Sequence, residues 1–133
     1  VMYRLRVGQI IGALVLCILA VNVGVYYEAG RKAGERPPLT DGLTGKWGTM
    51  SADFAARLKQ AHPFGSSATA FTADLAGQGF KSKNWGIAPA SVGEAYLDES
   101  NWVCRQGAAV RWSVDGAGRL AKLEGEYRKG GCL

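Results

Sequence analysis

From Val7 to Tyr27 the chain carries 21 residues and no charge. A helix rises about 1.5 Å per residue, so this run covers roughly 30 Å, the thickness of a bilayer's hydrocarbon core. A buried soluble helix of that length would show a polar stripe, and only Gln9 and Asn22 are strongly polar here. Arg4 and Arg6 precede the run, Tyr26 and Tyr27 close it, and Arg31, Lys32 and Arg36 follow. Basic flanks and an aromatic boundary are the layout of a transmembrane helix, and residues 1–27 are read as a short arm and a single span. The run exceeds the roughly 7 to 15 residues of a signal-peptide core, and no Ala-x-Ala site follows closely, so the anchor is expected to be retained.

At about 100° per residue, Gln9, Ala13, Cys17, Ala20 and Gly24 fall within a wedge of roughly 80°, and the GxxxG pair Gly8 and Gly12 is counted with them as small residues of the span. Helices in lipid gain nothing by hiding apolar surface from one another, so close association relies on small residues that let backbones approach. Leu14, Ile11, Ile18 and Val25 lie opposite, as a lipid-facing surface should. This face is expected to dock on transmembrane helices of a larger membrane complex.

The pattern then changes. Residues 28–46 hold four glycines, Pro37-Pro38 and mixed charge, which predicts a juxtamembrane linker whose apolar anchors are Leu39 and Leu43. Residues 47–133 are expected to form one small α+β domain. Ser51 is a candidate N-cap for a helix carrying Phe54, Leu58 and Ala61 up to the His62-Pro63 break. Ser66 or Ser67 caps a second helix with Phe71, Leu75 and Ala76, ending at Gly77 or Gly79, after which Phe80 turns back onto the core. Residues 81–93 lack a clear period and read as a loop. Beyond Glu94 the period is two: Tyr96-Leu97, Trp102–Arg105, Ala109–Val114 and Arg119–Arg128 read as short strands of an antiparallel meander. Val110, Trp112 and Val114 share a face, as do Ala121, Leu123 and Tyr127, and Asp115-Gly116-Ala117-Gly118 is the hairpin turn.

Composition, 47% hydrophobic and 20% charged, is that of a foldable chain. The net charge of +5 is less telling than its placement. Residues 1–46 carry six basic groups (Arg4, Arg6, Arg31, Lys32, Arg36, Lys46) against three acidic (Glu28, Glu35, Asp41). The excess borders the span, where basic groups meet anionic lipid, and no dense basic face for nucleic acid is apparent. Basic residues on both sides leave the span's orientation undecided. Cys104 and Cys132, an even pair in a small extramembrane domain, favour a disulfide and hence an oxidising compartment; two idle thiols in a cytosolic domain are the alternative. The disulfide reading keeps the N-terminal arm in the cytoplasm and sets the C-terminal domain outside, in the periplasm if the cell is Gram-negative, so that the span is expected in a bacterial inner membrane.

The order helix, short turn with small polar residues, helix, then strands ending in Val114-Asp-Gly-Ala-Gly-Arg-Leu-Ala-Lys-Leu123 resembles the BamE-type (SmpA/OmlA) periplasmic domains over about residues 50–128. That resemblance implies a non-catalytic, protein-binding scaffold, although such domains are usually lipid-anchored.

Catalytic chemistry is sparse. The single histidine, His62, precedes a proline, and one His with three scattered Cys supplies no tetrahedral zinc set. Nothing marks Ser66, Ser67 or Cys104 as an activated nucleophile, and the 19 glycines contain no phosphate-cradling motif. Asp98 and Glu99, adjacent on a strand end, would point to opposite faces and read as a solvated turn. Four tryptophans are many for such a small domain: core packing accounts for Trp102 and Trp112, leaving Trp47 and Trp85 as partner contacts. The expectation is a non-enzymatic accessory or scaffold subunit of an inner-membrane complex, respiratory or photosynthetic among the possible hosts, with no cofactor, no nucleic acid and no small-molecule substrate. The alternative is a membrane-tethered periplasmic protein-binding or envelope-assembly module.

Overall fold

The structure is a computed structural model that describes residues 36–133. The expected span and its docking face (Gly8, Gln9, Gly12, Ala13, Cys17, Ala20, Gly24) lie outside the described residues, among which no helix is long and apolar enough to cross a membrane. Residues Pro37–Leu133 form one compact unit. It is α+β: helix α1 (Trp47–Ala61), helix α2 (Ala68–Gly77), then strands β1 (Lys81–Asn84), β2 (Val92–Asp98), β3 (Cys104–Val114) and β4 (Leu120–Cys132). The strands form one antiparallel sheet in the order β1-β2-β3-β4, so each neighbour in sequence is a neighbour in space.

Helix α1 buries Met50, Phe54 and Leu58, a four-residue repeat that makes one apolar stripe; Ala61 is exposed. The helix begins one turn earlier than expected, with Lys46 at the N-cap and no side-chain cap. Ser51 is therefore not the cap. Its hydroxyl accepts from the Tyr127 amide at 3.1 Å. Of the two caps the sequence offered for α2, Ser67 takes the role, accepting from the Ala70 amide at 3.3 Å, while the Ser66 hydroxyl donates to the Pro63 carbonyl at 2.6 Å. At its end Gly79, at φ +89°, lets the Phe80 amide return to the Leu75 carbonyl and the Gly79 amide to that of Ala76, each at 3.0 Å. This glycine-based cap brings Phe80 back over Leu75, and both are buried.

In β2 burial alternates strictly, Gly93, Ala95 and Leu97 facing in. Ala108, Val110, Trp112 and Val114 do the same in β3, and Leu120, Leu123 and Tyr127 in β4. Leu120 rather than Ala121 enters the core because the β3–β4 register slips between Ser113 and Val114. The inward set packs against the buried stripes of both helices. Two glycines permit this closeness. A Cβ at Gly93 would sit 2.2 Å from the Trp112 indole, and one at Gly125 would sit 2.8 Å from Leu58. Phe71 meets Trp112 edge-on at 5.1 Å, and Trp85 covers its other side at 6.3 Å.

The β3–β4 hairpin closes at Asp115, whose carboxylate accepts from the Ala117 and Arg119 amides, both at 2.9 Å, with Gly118 at φ +75°. The interhelix turn is tied to it through Leu120 amide to Ser66 carbonyl at 2.9 Å and Ala68 amide to Gly118 carbonyl at 3.0 Å.

Other parts of the sequence reading need correction. Lys81–Gly93 is not one loop, since β1 and the start of β2 lie within it. Trp102–Arg105 is not a separate strand: β3 runs unbroken from Cys104 to Val114, and Trp102 and Val103 lie in the turn before it. The linker segment from Pro37 onward belongs to the domain, with Leu39 and Leu43 buried in its own core. Apolar side chains that reach the core are held by it, whatever the glycine content around them.

Candidate functional site

Strand β3 is central in the sheet, so both its faces matter. Its inward face is filled by Val110 and Trp112 under the helices; its outward face presents Arg105, Gly107, Ala109 and Arg111, with no element laid over them among the described residues. Cross-strand register sets the neighbours. Tyr96 and Glu126 flank Ala109, Asp98 and Arg128 flank Gly107, and Glu94 and Glu124 flank Arg111. Small residues at 107 and 109 between taller flanks leave a groove of about 370 Å³, walled by Tyr96, Asp98, Arg105 and Arg128. Any larger residue at 107 is barred, because a Cβ there would stand 2.3 Å from the Leu97 carbonyl oxygen.

The walls are electrostatically arranged in pairs. Arg111 donates to Glu94 at 3.1 Å, and Arg128 approaches Glu126 at 2.9 Å. The hydrogen bond from Arg128 holds the Glu126 carboxyl below its ordinary range, and reciprocally raises the guanidinium's own value. Asp98 is held low chiefly by hydrogen bonds from Ser100, with Lys81 and Arg105 adding positive field. Asp98 and Glu126 thus present fixed negative charge beside the arginines of the groove. Tyr96, 52% exposed, supplies an aromatic wall.

At the end of the sheet beyond the groove, Cys104 and Cys132 are register partners with Cα atoms 4.1 Å apart and form a disulfide. The turn before Cys104 is held from within: the Asn101 side-chain oxygen accepts from the Val103 amide at 2.9 Å and the Cys104 amide at 2.7 Å. Between them Trp102 projects, 88% exposed. It is not a core residue, because the turn carries it off the end of the sheet before the inward phase of β3 begins. Glu99, three residues earlier, is no solvated turn residue. It accepts from the buried Thr40 hydroxyl and from the buried Tyr127 hydroxyl, the latter at 2.7 Å. This carboxylate clamps the Pro37–Leu43 segment onto β4, helped by the Leu39 amide bonding the Gln78 side chain at 3.2 Å.

The remaining sequence candidates separate. Trp47 opens α1 and is 53% exposed, whereas Trp85 is half-buried as an outer layer on Trp112. His62 bridges the helices through Asp74 at 2.7 Å and meets Phe71 edge-on at 4.9 Å. Among the described residues no three His, Cys, Asp or Glu side chains lie close enough to hold a metal ion. Tyr96 was legible in principle, since it sits in the polar phase of β2 with Glu94 and Asp98. The joining of Arg105 with Arg128 was not, because it depends on register. In comparisons with known proteins, no family model, no curated protein and no solved structure matches the chain.

Proposed function

We propose that the protein is a membrane-anchored, non-enzymatic interaction subunit whose exported α+β domain receives a partner protein on the uncovered face of its sheet. The observation that carries this reading is the groove over Gly107 and Ala109, which joins an apolar floor to an aromatic wall at Tyr96 and to the arginines Arg105 and Arg128. Exposed aromatics and arginines around a desolvable floor are the residues that dominate binding energy at protein interfaces. The anchor follows from the uncharged run Val7–Tyr27, and the small-residue face (Gly8, Gln9, Gly12, Ala13, Cys17, Ala20, Gly24) directs it toward neighbouring transmembrane helices. The resemblance to BamE-type scaffolds points to the same non-catalytic class. Placement of the domain in the periplasm rests on the Cys104–Cys132 pair, since disulfides persist in oxidising compartments.

The test is purification of the native protein in mild detergent. A stoichiometric membrane partner is expected, released by Ala13→Leu or Ala20→Leu in the span and by Ala109→Arg, which fills the groove; Leu14→Ala on the opposite side of the span is expected to leave it bound. A lone monomer would overturn the subunit reading in favour of a free, tethered binding module.

A further inference from the structure

One end of the domain gathers features that the groove does not use. The compact unit begins at Pro37, and Thr40, just beyond it, is bonded to Glu99 in the β2–β3 turn. Trp102 projects from that same turn. Helix α1 also starts at this end, because Ser51 meets Tyr127 whereas Leu58 lies over Gly125, further back along β4. Trp47, one turn before Ser51, therefore extends toward the disulfide end too. The chain's point of arrival, the disulfide and the two most exposed tryptophans share one end of the sheet. The opposite end carries the Asp115–Gly118 hairpin, and its indoles, Trp85 and Trp112, are packed against each other.

We propose that this end faces the bilayer and that Trp102, seconded by Trp47, seats in the lipid headgroup interface. The inference rests on the anchored reading above and adds the domain's orientation and a second, lipid-binding surface. Three considerations select lipid as the occupant. Indoles favour the membrane interface, where the ring meets acyl chains and the N–H remains wet. Trp102 is also pre-organised: the disulfide and the Asn101 bonds hold its turn, so little entropy is lost on insertion. Finally, only residues 28–36 separate the end of the uncharged run from Pro37. At full extension nine residues reach about 30 Å, which sets the upper limit on the distance of Pro37 from the end of the uncharged run. Local charge permits the contact. Arg105, Arg128 and Lys129 stand against Asp98 and Glu126, and Glu99 turns its carboxylate inward on Thr40 and Tyr127. With this end down, the groove opens sideways just above the headgroups, within reach of the extramembrane part of a neighbouring membrane protein.

The experiment uses the full chain reconstituted in phosphatidylcholine vesicles with a minority of phosphatidylglycerol, the lipids brominated near the headgroup end of the acyl chains. Tryptophan emission is compared with that in unbrominated vesicles. Trp102→Phe is expected to remove about half or more of the quenching, Trp47→Phe a smaller share, and Trp85→Phe none. Flotation of the same samples reports the anchor separately. A chain that does not float overturns the anchored reading and this inference with it. A chain that floats, and whose quenching is the same with and without Trp102, overturns this inference alone and leaves Trp102 to a protein partner.

Discussion

The two faces of the sheet are made by the same strands and obey different constraints. On the inner face each position has a steric quota: Trp112 needs glycine at 93, Leu58 needs glycine at 125, and Tyr127 is fully enclosed. On the open face Glu94, Arg111, Glu124, Glu126 and Arg128 stand in cross-strand rows where exchange of charge for charge costs little. Stability is thus concentrated on one side of the sheet, and the proposed recognition surface lies on the other. Comparing side chains of like size across the sheet makes that separation measurable.

The largest effect is expected from Trp112→Ala, which empties a buried site between Phe71, Trp85 and Gly93 and should cost about 3–5 kcal/mol. Tyr96→Ala, across the sheet, should stay within roughly 0.5 kcal/mol, as for surface changes generally. Denaturant midpoints of the two variants make the comparison, and equal losses would show that the open face is also structural.

Next comes the disulfide, on the part of β4 that has no buried residue beyond Tyr127. Cys104→Ser opens a crosslink of sequence separation 28 and should lower stability by about 3–4 kcal/mol on the chain-entropy estimate. Mass spectrometry of the unreduced, alkylated protein checks the bond itself. Alkylation at both Cys104 and Cys132 would remove both the bond and its bearing on the compartment.

A smaller loss, about 1 kcal/mol, is expected from Tyr127→Phe, which keeps the ring in the core and removes the hydroxyl's hydrogen bond to Glu99. The more specific readout is hydrogen exchange at Leu39 and Thr40, which should accelerate as the clamp on this segment weakens. Unchanged exchange there would mean that Leu39 and Leu43 alone hold the segment.

The smallest effect concerns pH on the open face. Glu126 has its folded pKa lowered by Arg128, so the pair's contribution is present above the ordinary value of 4.5 and is lost as pH falls through the folded value. Because Arg128 is exposed and Glu126 only half-buried, the contribution is small and screened by salt. Glu126→Gln should therefore leave stability at pH 7 nearly unaltered and slightly flatten its decline in acid. A steep, salt-insensitive change would contradict the division of labour between the faces.

Much of the domain was written locally. The Asp115–Gly118 turn and the inward phase of Val110, Trp112 and Val114 depend on residues within a few positions of one another and were legible directly, whereas the cap and stop of α2 were narrowed to Ser66 or Ser67 and to Gly77 or Gly79, the structure taking Ser67 and Gly79. Leu39 and Leu43 were visible as apolar anchors, yet which surface they meet is settled by contacts dozens of positions away. The short β1 strand was hidden because Lys81-Ser-Lys-Asn is polar throughout, and its pairing comes from β2. Trp102 shows the limit most clearly. A tryptophan in a small domain is usually worth burying, and only the turn at Asn101 and the closure of Cys104 on Cys132 turn this one outward. The groove follows the same logic: Gly107 and Ala109 are unremarkable in sequence, and become a floor only when register sets Tyr96 and Arg128 on either side. Composition and spacing determined the elements and their buried faces, because propensity and periodicity act over a turn or two of chain. Which faces meet, and what is left uncovered, was decided by tertiary packing, because strand register and helix contact couple residues that no local pattern connects.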